Sequence, residues 1–356
     1  MIGQVMKNSA LCAKIHAMRG ESLTDADYRA MMNMKSVPDV AGYLIENTRY
    51  GRALRDIPTA QIHRGRLERL LAEDLNTDIE RLMPYMGMGG RRFIEITEIE
   101  EGISLLKICV RLLSIGRCED VEEYIEKLRA TGTADKISAG GIESIDGLIE
   151  RLHGTPYYGA MRYFKGRPER QKPFFIEMRL DTYWTRLVYK YIKKYVPKSE
   201  QAAVSKLYGT EFDLENLTFL LRCKRSFDMT DEEIYACVIH HYCRLKGSTV
   251  KNIVGSASYE DAIKVIKEET PYGTAFSVED RFLEKRVREY ILHMSEKVYS
   301  SNQYSIMAPV SYIWLRRIEI KNIISVTEGI RYGLEPDRID GYLIRDGGYN
   351  KGGNDI

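Results

Sequence analysis

The sequence predicts an all-α protein, and three observations predict it. Apolar residues recur at three- and four-residue spacing along most of the chain. Alternating, strand-like runs are scarce; Arg92 to Thr97 is the one candidate, and it reads better as the entry to a helix. The third observation is a repeat. Ser36 stands fourteen residues before Tyr50, Ser144 fourteen before Tyr158 and Ser258 fourteen before Tyr272, and the tyrosines are followed by Gly51, Gly159 and Gly273. Between these ends lie Val37, Val40 and Leu44, then Ile145, Leu148 and Leu152, then Tyr259, Ala262 and Ile266, so each copy reads as one amphipathic helix. The serine is placed to cap free amides in the first turn, the tyrosine to pin the far end, and the glycine to accept a left-handed conformation. The copies lie about 110 residues apart, too far for a solenoid unit, which predicts three related helical bundles. Their expected boundaries are 1–115, 116–226 and 227–345, followed by a tail at 346–356.

In order along the chain, residues 2 to 19 read as a helix with Val5, Ala10, Leu11 and Ile15 inward. Thr24 with Asp27 predicts a capping box for the next helix, and Asp120 with Glu123 and Thr230 with Glu233 stand ahead of the second and third Tyr-Gly helices. Pro38 fits a first helical turn, where its missing N–H has no partner to lose. After each Tyr-Gly comes a long charged amphipathic segment: Arg64 to Met83, Phe174 to Val196 and Val278 to Tyr299. Each is followed by a helix expected to open on carboxylates, at Glu98 to Glu101, Glu211 to Glu215 and Glu319, where they complement the helix dipole. The last residues, Asp346 to Ile356, are rich in Gly, Asn and Asp and read as disordered.

Composition narrows the function. With 356 residues the chain can bury more than one core, and 53 basic against 51 acidic residues leave no overall field to attract nucleic acid. The six cysteines show no paired spacing and fit reduced thiols in a cytosolic protein. The N-terminus, with Lys7, Lys14 and Arg19, lacks the apolar core of a signal peptide, and no eighteen-residue apolar window offers a membrane span.

Signals for chemistry are sparse. Gly87-x-Gly89-Gly90 lacks the strand and spacing of a nucleotide loop and reads as a flexible connection. Glu150 and His153 have the spacing of a di-iron helix, which requires a second copy and two further glutamates. Cys237, His240, His241 and Cys243 cluster on one expected helix without a second ligand-bearing segment, so a packed helix face is favoured over zinc. The basic loop Lys165 to Lys172 is placed to meet phosphate but lacks interleaved aromatics. No cofactor or catalytic group is assigned.

The repeats resemble a known family, the C-type component of the rotary V/A-type (vacuolar/archaeal-type) ATPases, equivalent to the d-type component of the eukaryotic V-ATPase. The resemblance runs from the N-terminal helix to about Leu343. Its most specific part is Tyr304-x-x-x-Ala308-Pro309-Val310-x-Tyr312-Ile313, then Glu319-Ile320-Lys321-Asn322-Ile323, then Glu328-Gly329-Ile330 and Gly333-Leu334. Asp213-x-Glu215-Asn216-Leu217, Ala41-x-x-Leu44-x-x-Thr48-x-Tyr50 and Thr270-Pro271-Tyr272-Gly273 also look like the family. The sequence departs from it at Ile324, where the family usually carries an arginine two residues after the final-helix asparagine. Arg316, Arg317 and Lys321 are the nearby candidates to replace it.

The resemblance implies a funnel of three pseudo-threefold related helical bundles. It also implies a non-catalytic central-stalk rotor subunit of a V/A-type ATPase or ATP synthase, peripheral on the cytoplasmic face of the membrane. The implied partners are the D- and F-type shaft subunits and the membrane proteolipid ring, with coupling to proton or sodium transport. A second reading is an all-helical metal- or anion-binding enzyme or adaptor scaffold, with its site near Glu150 and His153 or near Cys237 to Cys243.

Overall fold

The computed structural model describes residues 2–135, 137, 140–168, 172–226, 229–278 and 282–346. In chain order the helices are α1 (Ile2–Arg19), α2 (Asp25–Met32), α3 (Val37–Asn47), α4 (Gly51–Leu54), α5 (Arg64–Leu82), α6 (Met88–Ile94), α7 (Ile96–Ser114), α8 (Val121–Ala130) and α9 (Ile145–Arg151). They continue with α10 (Tyr158–Met161), α11 (Lys172–Tyr195), α12 (Lys198–Ser226), α13 (Asp231–Cys237), α14 (Gly247–Val254), α15 (Tyr259–Glu269), α16 (Leu283–Ser301), α17 (Met307–Arg331) and α18 (Pro336–Asp340). The described residues contain no strand, and Arg92 to Thr97 is the end of α6 and the start of α7. The fold is all-α.

Two compact units emerge, one from residues 1–88 and 271–356, the other from the continuous stretch 89–270. In the first, α17 is the axis: α1, α2, α3, α5, α16 and α18 all pack on it. Its first turns, Met307 to Trp314, are buried on every side, which is why the sequence there is apolar all round instead of striped. In the second unit α7 packs against α8, α9 and α11, and α12 against α11, α14 and α15. Along α7 the buried residues Ile99, Ile103, Leu106, Val110 and Leu113 fall at alternating four- and three-residue steps, the stripe a core-facing helix needs.

A local arrangement recurs within these units: one long helix carries a docked pair of short helices. In the first unit α17 carries α2 and α3; in the second α7 carries α8 and α9, while α12 carries α14 and α15. Ser36, Ser144 and Ser258 are the N-caps of α3, α9 and α15, their hydroxyls accepting from the amides of Asp39, Gly147 and Asp261 at 3.3, 3.0 and 3.1 Å. The capping boxes of Thr24 with Asp27 and Thr230 with Glu233 both form.

Several expectations are corrected. Asp120 caps nothing, because the chain enters α8 through a 3-10 turn and its carboxylate pairs with Arg117 at 2.5 Å. The box at Thr230 opens α13, not the counterpart of α2; that counterpart is α14, which carries no side-chain cap. The carboxylates Asp213 and Glu319 do not open helices. They lie mid-helix, in α12 and α17, and are buried.

The repeat register slips in the second copy. Tyr50 and Tyr272 are fully buried, but their buried counterpart is Tyr157, not the half-buried Tyr158. The reason lies in the threonine two residues earlier. Thr48, Thr155 and Thr270 each donate their hydroxyl to a carbonyl in the last turn of the preceding helix region, at 2.6, 2.7 and 2.7 Å, fixing the bend that turns the tyrosine inward. The second copy reaches that bend after a seven-residue helix and Gly154 at φ 84°, one residue sooner than the others.

None of Gly51, Gly159 and Gly273 has positive φ; among the glycines that do are Gly116 and Gly333, which end α7 and α17. Gly51 and Gly273 open helical turns, and Gly159 lies in the first turn of α10. A Cβ at Gly51 would collide with the Ile45 carbonyl oxygen, so this glycine permits close backbone approach, whereas Gly159 faces open space. Of the expected tail, 347–356 lies outside the described residues; Asp346 accepts a contact from His293 at 3.0 Å.

Candidate functional site

The polar heart of the first unit is built on α5 and α17. Along α5 the buried positions run Leu67, Leu70, Leu71, Asp74, Leu75, Asp78, Ile79 and Leu82, so two carboxylates four residues apart sit within an apolar stripe. They meet Arg316, which is 1 % exposed. Its Nη2 reaches Asp74 at 2.9 Å, its Nε reaches Asp78 at 3.2 Å, and its Nη1 donates to Glu319 and, at 2.7 Å, to the Tyr50 hydroxyl. Arg49 grips Asp78 with Nη2 at 2.5 Å to both oxygens and donates Nη1 to Tyr312 and to the Met18 carbonyl. Arg52, more exposed, adds contacts to Asp74 at 3.3 Å and Asp78 at 3.1 Å.

Glu21, half-exposed at the edge, adds longer contacts to Arg52 at 3.5 Å and Arg49 at 3.9 Å, so three guanidiniums face four carboxylates, three of them buried. Tyr50 and Tyr312 complete the cluster by donating to Glu319 at 2.8 Å and Asp78 at 2.7 Å. Burial alone would lower the pKa of Arg316, but Tyr50, Glu319, Tyr312 and Asp78 outweigh it and raise it above the ordinary range. Burial raises the pKa of the Tyr50 and Tyr312 hydroxyls, against the opposing arginine charges, so they remain donors. Ile324 lies outside this cluster, half-buried against the core formed by Tyr28, Met31, Leu44 and Ile323.

Two asparagines make matching clamps. Asn216 on α12 donates to the Ile239 carbonyl at 3.0 Å and accepts from the Ile239 amide at 2.9 Å. Asn322 on α17 does the same to Ile344, at 2.9 and 2.8 Å. Three residues before each asparagine, on the same helix face, stands a buried carboxylate. Asp213 accepts from the amides of Cys243, Arg244 and Leu245 at 3.0, 2.7 and 2.9 Å, and Glu319 accepts from the Leu23 amide at 2.8 Å. Leu245 precedes the N-cap of α14 and Leu23 that of α2, so both carboxylates fix the entry to a docked short helix. On α7 the place of the asparagine is taken by Gly102, where any Cβ would strike the Tyr157 hydroxyl; the glycine lets that ring lie against the helix.

The residues singled out for metal chemistry are otherwise engaged. Glu150 pairs with Lys165 at 2.8 Å, and His153 stacks edge-on against Tyr158. Cys237 ends α13, and His240, His241 and Cys243 lie beyond it in the loop held by Asp213 and Asn216, not on one helix. Among the described residues no three His, Cys, Asp or Glu side chains converge as a metal site. Among the same residues no helix is long and apolar enough to cross a membrane.

Fold and polar groups together define a class: an all-α repeat protein whose buried charges and amides tie its own helices and loops together. Residues 11–342 match the family described as the ATP synthase (C/AC39) subunit, and the chain belongs to that family. It is similar to the C-type component of the A-type ATP synthase of a Desulfurococcus species, 22 % identical over 92 % of this chain and 88 % of the relative. The corresponding C-type components of the A-type ATP synthases of Thermococcus gammatolerans and Thermococcus onnurineus are each 23 % identical, over 92 % of this chain and 87 % of theirs.

Proposed function

We propose that this chain is a non-catalytic rotor part of its ATP synthase, joining the central shaft to the membrane proteolipid ring. The partners in this reading are the D- and F-type shaft subunits at one end and the ring at the other. The chain lies peripherally on the cytoplasmic side and serves proton or sodium transport. The observation that carries the proposal is the family match over residues 11–342, and the character of the site supports it. A part that transmits torque must be stiff. Close-packed helices have low compressibility, and a satisfied polar network fixes one arrangement of them. The threefold funnel, with repeats 1–115, 116–226 and 227–345, belongs to the same proposal. Its support is the long helix with two docked short helices, seen at α17, α7 and α12, each long helix carrying the short pair that belongs to the next repeat in cyclic order.

The test is reconstitution. Complexes lacking this chain should hydrolyse ATP without moving ions, and adding the purified chain should restore ion transport driven by hydrolysis. The chain alone should show no ATPase activity and should co-purify with the shaft subunits. Full ion pumping without it, or hydrolysis by the chain itself, would overturn the reading.

A further inference from the structure

Two features of the second unit are not used by the coupling proposal, the basic stretch after α10 at Arg167 and the helix α13, and they meet at a half-open pocket of about 390 Å³. Its apolar wall includes Phe164 from the loop region, Phe175 and Met178 from α11, and Cys237 from α13. Arg167 and Arg179 also line it. The volume falls within the range of small-molecule sites, which combine apolar walls with a few oriented polar groups. The two arginines are held by aromatic contacts. The Arg167 guanidinium lies 6.0 Å from the Phe164 ring centre, with Nε donating to the Tyr163 carbonyl at 3.0 Å, and that of Arg179 lies 5.4 Å from the Tyr163 ring centre. Among the described residues no carboxylate pairs with either. A guanidinium stacked on a ring keeps its donor edge available, and that edge matches a carboxylate or phosphate.

We propose that this cavity binds a small amphiphilic anion, a carboxylate or phosphate monoester on an apolar body. Arg167 and Arg179 hold the head by charge-assisted hydrogen bonds, and Phe164, Phe175, Met178 and Cys237 take the body out of water. Neither half suffices. Inorganic phosphate lacks the body and a neutral alcohol lacks the head.

Calorimetric titration of the full-length protein with decyl phosphate and with decanoate, below their micellar concentrations, tests this, with decanol and inorganic phosphate as separate arms. Saturable binding of at least one amphiphile, about tenfold or more tighter than decanol and than phosphate, is the expected result. The variant R167Q/R179Q should weaken it by about tenfold or more, as loss of one to two charge-assisted bonds implies. Met178→Trp, which fills the cavity, should abolish it in protein whose helical circular dichroism is retained. Equal binding of decanol would reveal a merely apolar hole, and equal binding of phosphate an ion site without a body pocket; either overturns the proposal. So does absence of saturable binding, or unchanged affinity in R167Q/R179Q, which decides the matter even where Met178→Trp fails to fold.

Discussion

The α5–α17 contact in the first unit and the α11–α7 contact in the second follow one plan and differ in burial. Each places two carboxylates four residues apart on one long helix, opposite basic residues on another. In the first they are Asp74 and Asp78 against Arg316; in the second, Glu177 and Asp181 against Arg111 and Lys107. Arg111 makes a two-pronged contact with Glu177 at 2.7 and 2.5 Å, as good in geometry as anything around Arg316, yet its side chain is 62 % exposed. Geometry alone therefore does not set the value of an ion pair. Where one partner is as exposed as Arg111, water screens the attraction and competes for its donors. In the interior, removing one member strands the others without water, so the buried cluster is strong only as a complete set.

The sharpest way to break this contrast is Arg316→Met. It leaves Asp74, Asp78 and Glu319 short of their shared partner and should cost about 3–5 kcal/mol. Urea unfolding followed by fluorescence of Trp314, on α17, measures it. The contrast fails if the loss is no larger than that of Arg111→Met.

Next in size are the clamps, where the two units should agree. Asn322→Ala and Asn216→Ala each strand a buried peptide group and should cost about 1–3 kcal/mol. Faster hydrogen exchange should follow at the amides of Ile344 and Ile239 respectively. A tenfold difference in protection lost between the two amides would show that the matching geometry conceals different surroundings.

A smaller effect is carried by pH. Burial pushes the Asp181 carboxyl above its ordinary 3.8, with Lys107 opposing. A carboxyl whose native pKa lies above its unfolded value binds more protons in the native state, so its contribution is full below 3.8 and is lost as pH rises through the native pKa. Asp181→Asn removes that loss. Its stability relative to the parent protein, read by Trp184 fluorescence on α11, should rise with pH across that window. A flat difference would refute the assignment. Smallest of all is Arg111→Met, at about 0–1 kcal/mol and less in high salt, by the same fluorescence measurement.

Much of the fold was legible because local chemistry dictates it. Ser36, Ser144 and Ser258 stand where a free amide needs an acceptor, and the apolar stripes of α3, α7 and α15 have the helical period. The buried cluster was harder to see. Charged residues in an amphipathic segment are ordinarily its wet face, and Arg49, Asp78 and Arg316 are far apart in sequence. One signal was present: Asp74 and Asp78 fall on the apolar stripe of α5, in phase with Leu67, Leu71 and Leu82. Asp213 and Glu319 misled for a related reason, since carboxylates near an expected helix start suit the dipole, and nothing local shows that the helix began a dozen or more residues earlier. A fixed fourteen-residue spacing points to Tyr158, whereas the structure preserves the threonine bend and buries Tyr157.

The clamps on α17 also bear on the order in which the protein forms during its synthesis. On α12 the buried Asp and Asn hold a continuous loop from Ile239 to Leu245, all of it made soon after the helix. On α17 the same two positions hold Leu23 and Ile344, and the Leu23 amide is 296 residues from its carboxylate. The second unit, continuous from 89 to 270, has its whole sequence outside the ribosome while the chain is still growing. The first does not. Helices α2 and α3 are translated long before α17, on which they dock, and at roughly 5–20 residues per second that wait is on the order of tens of seconds. Until then the faces of α2 and α3 that dock on α17 have no native cover, which makes these two helices a segment for chaperones to protect.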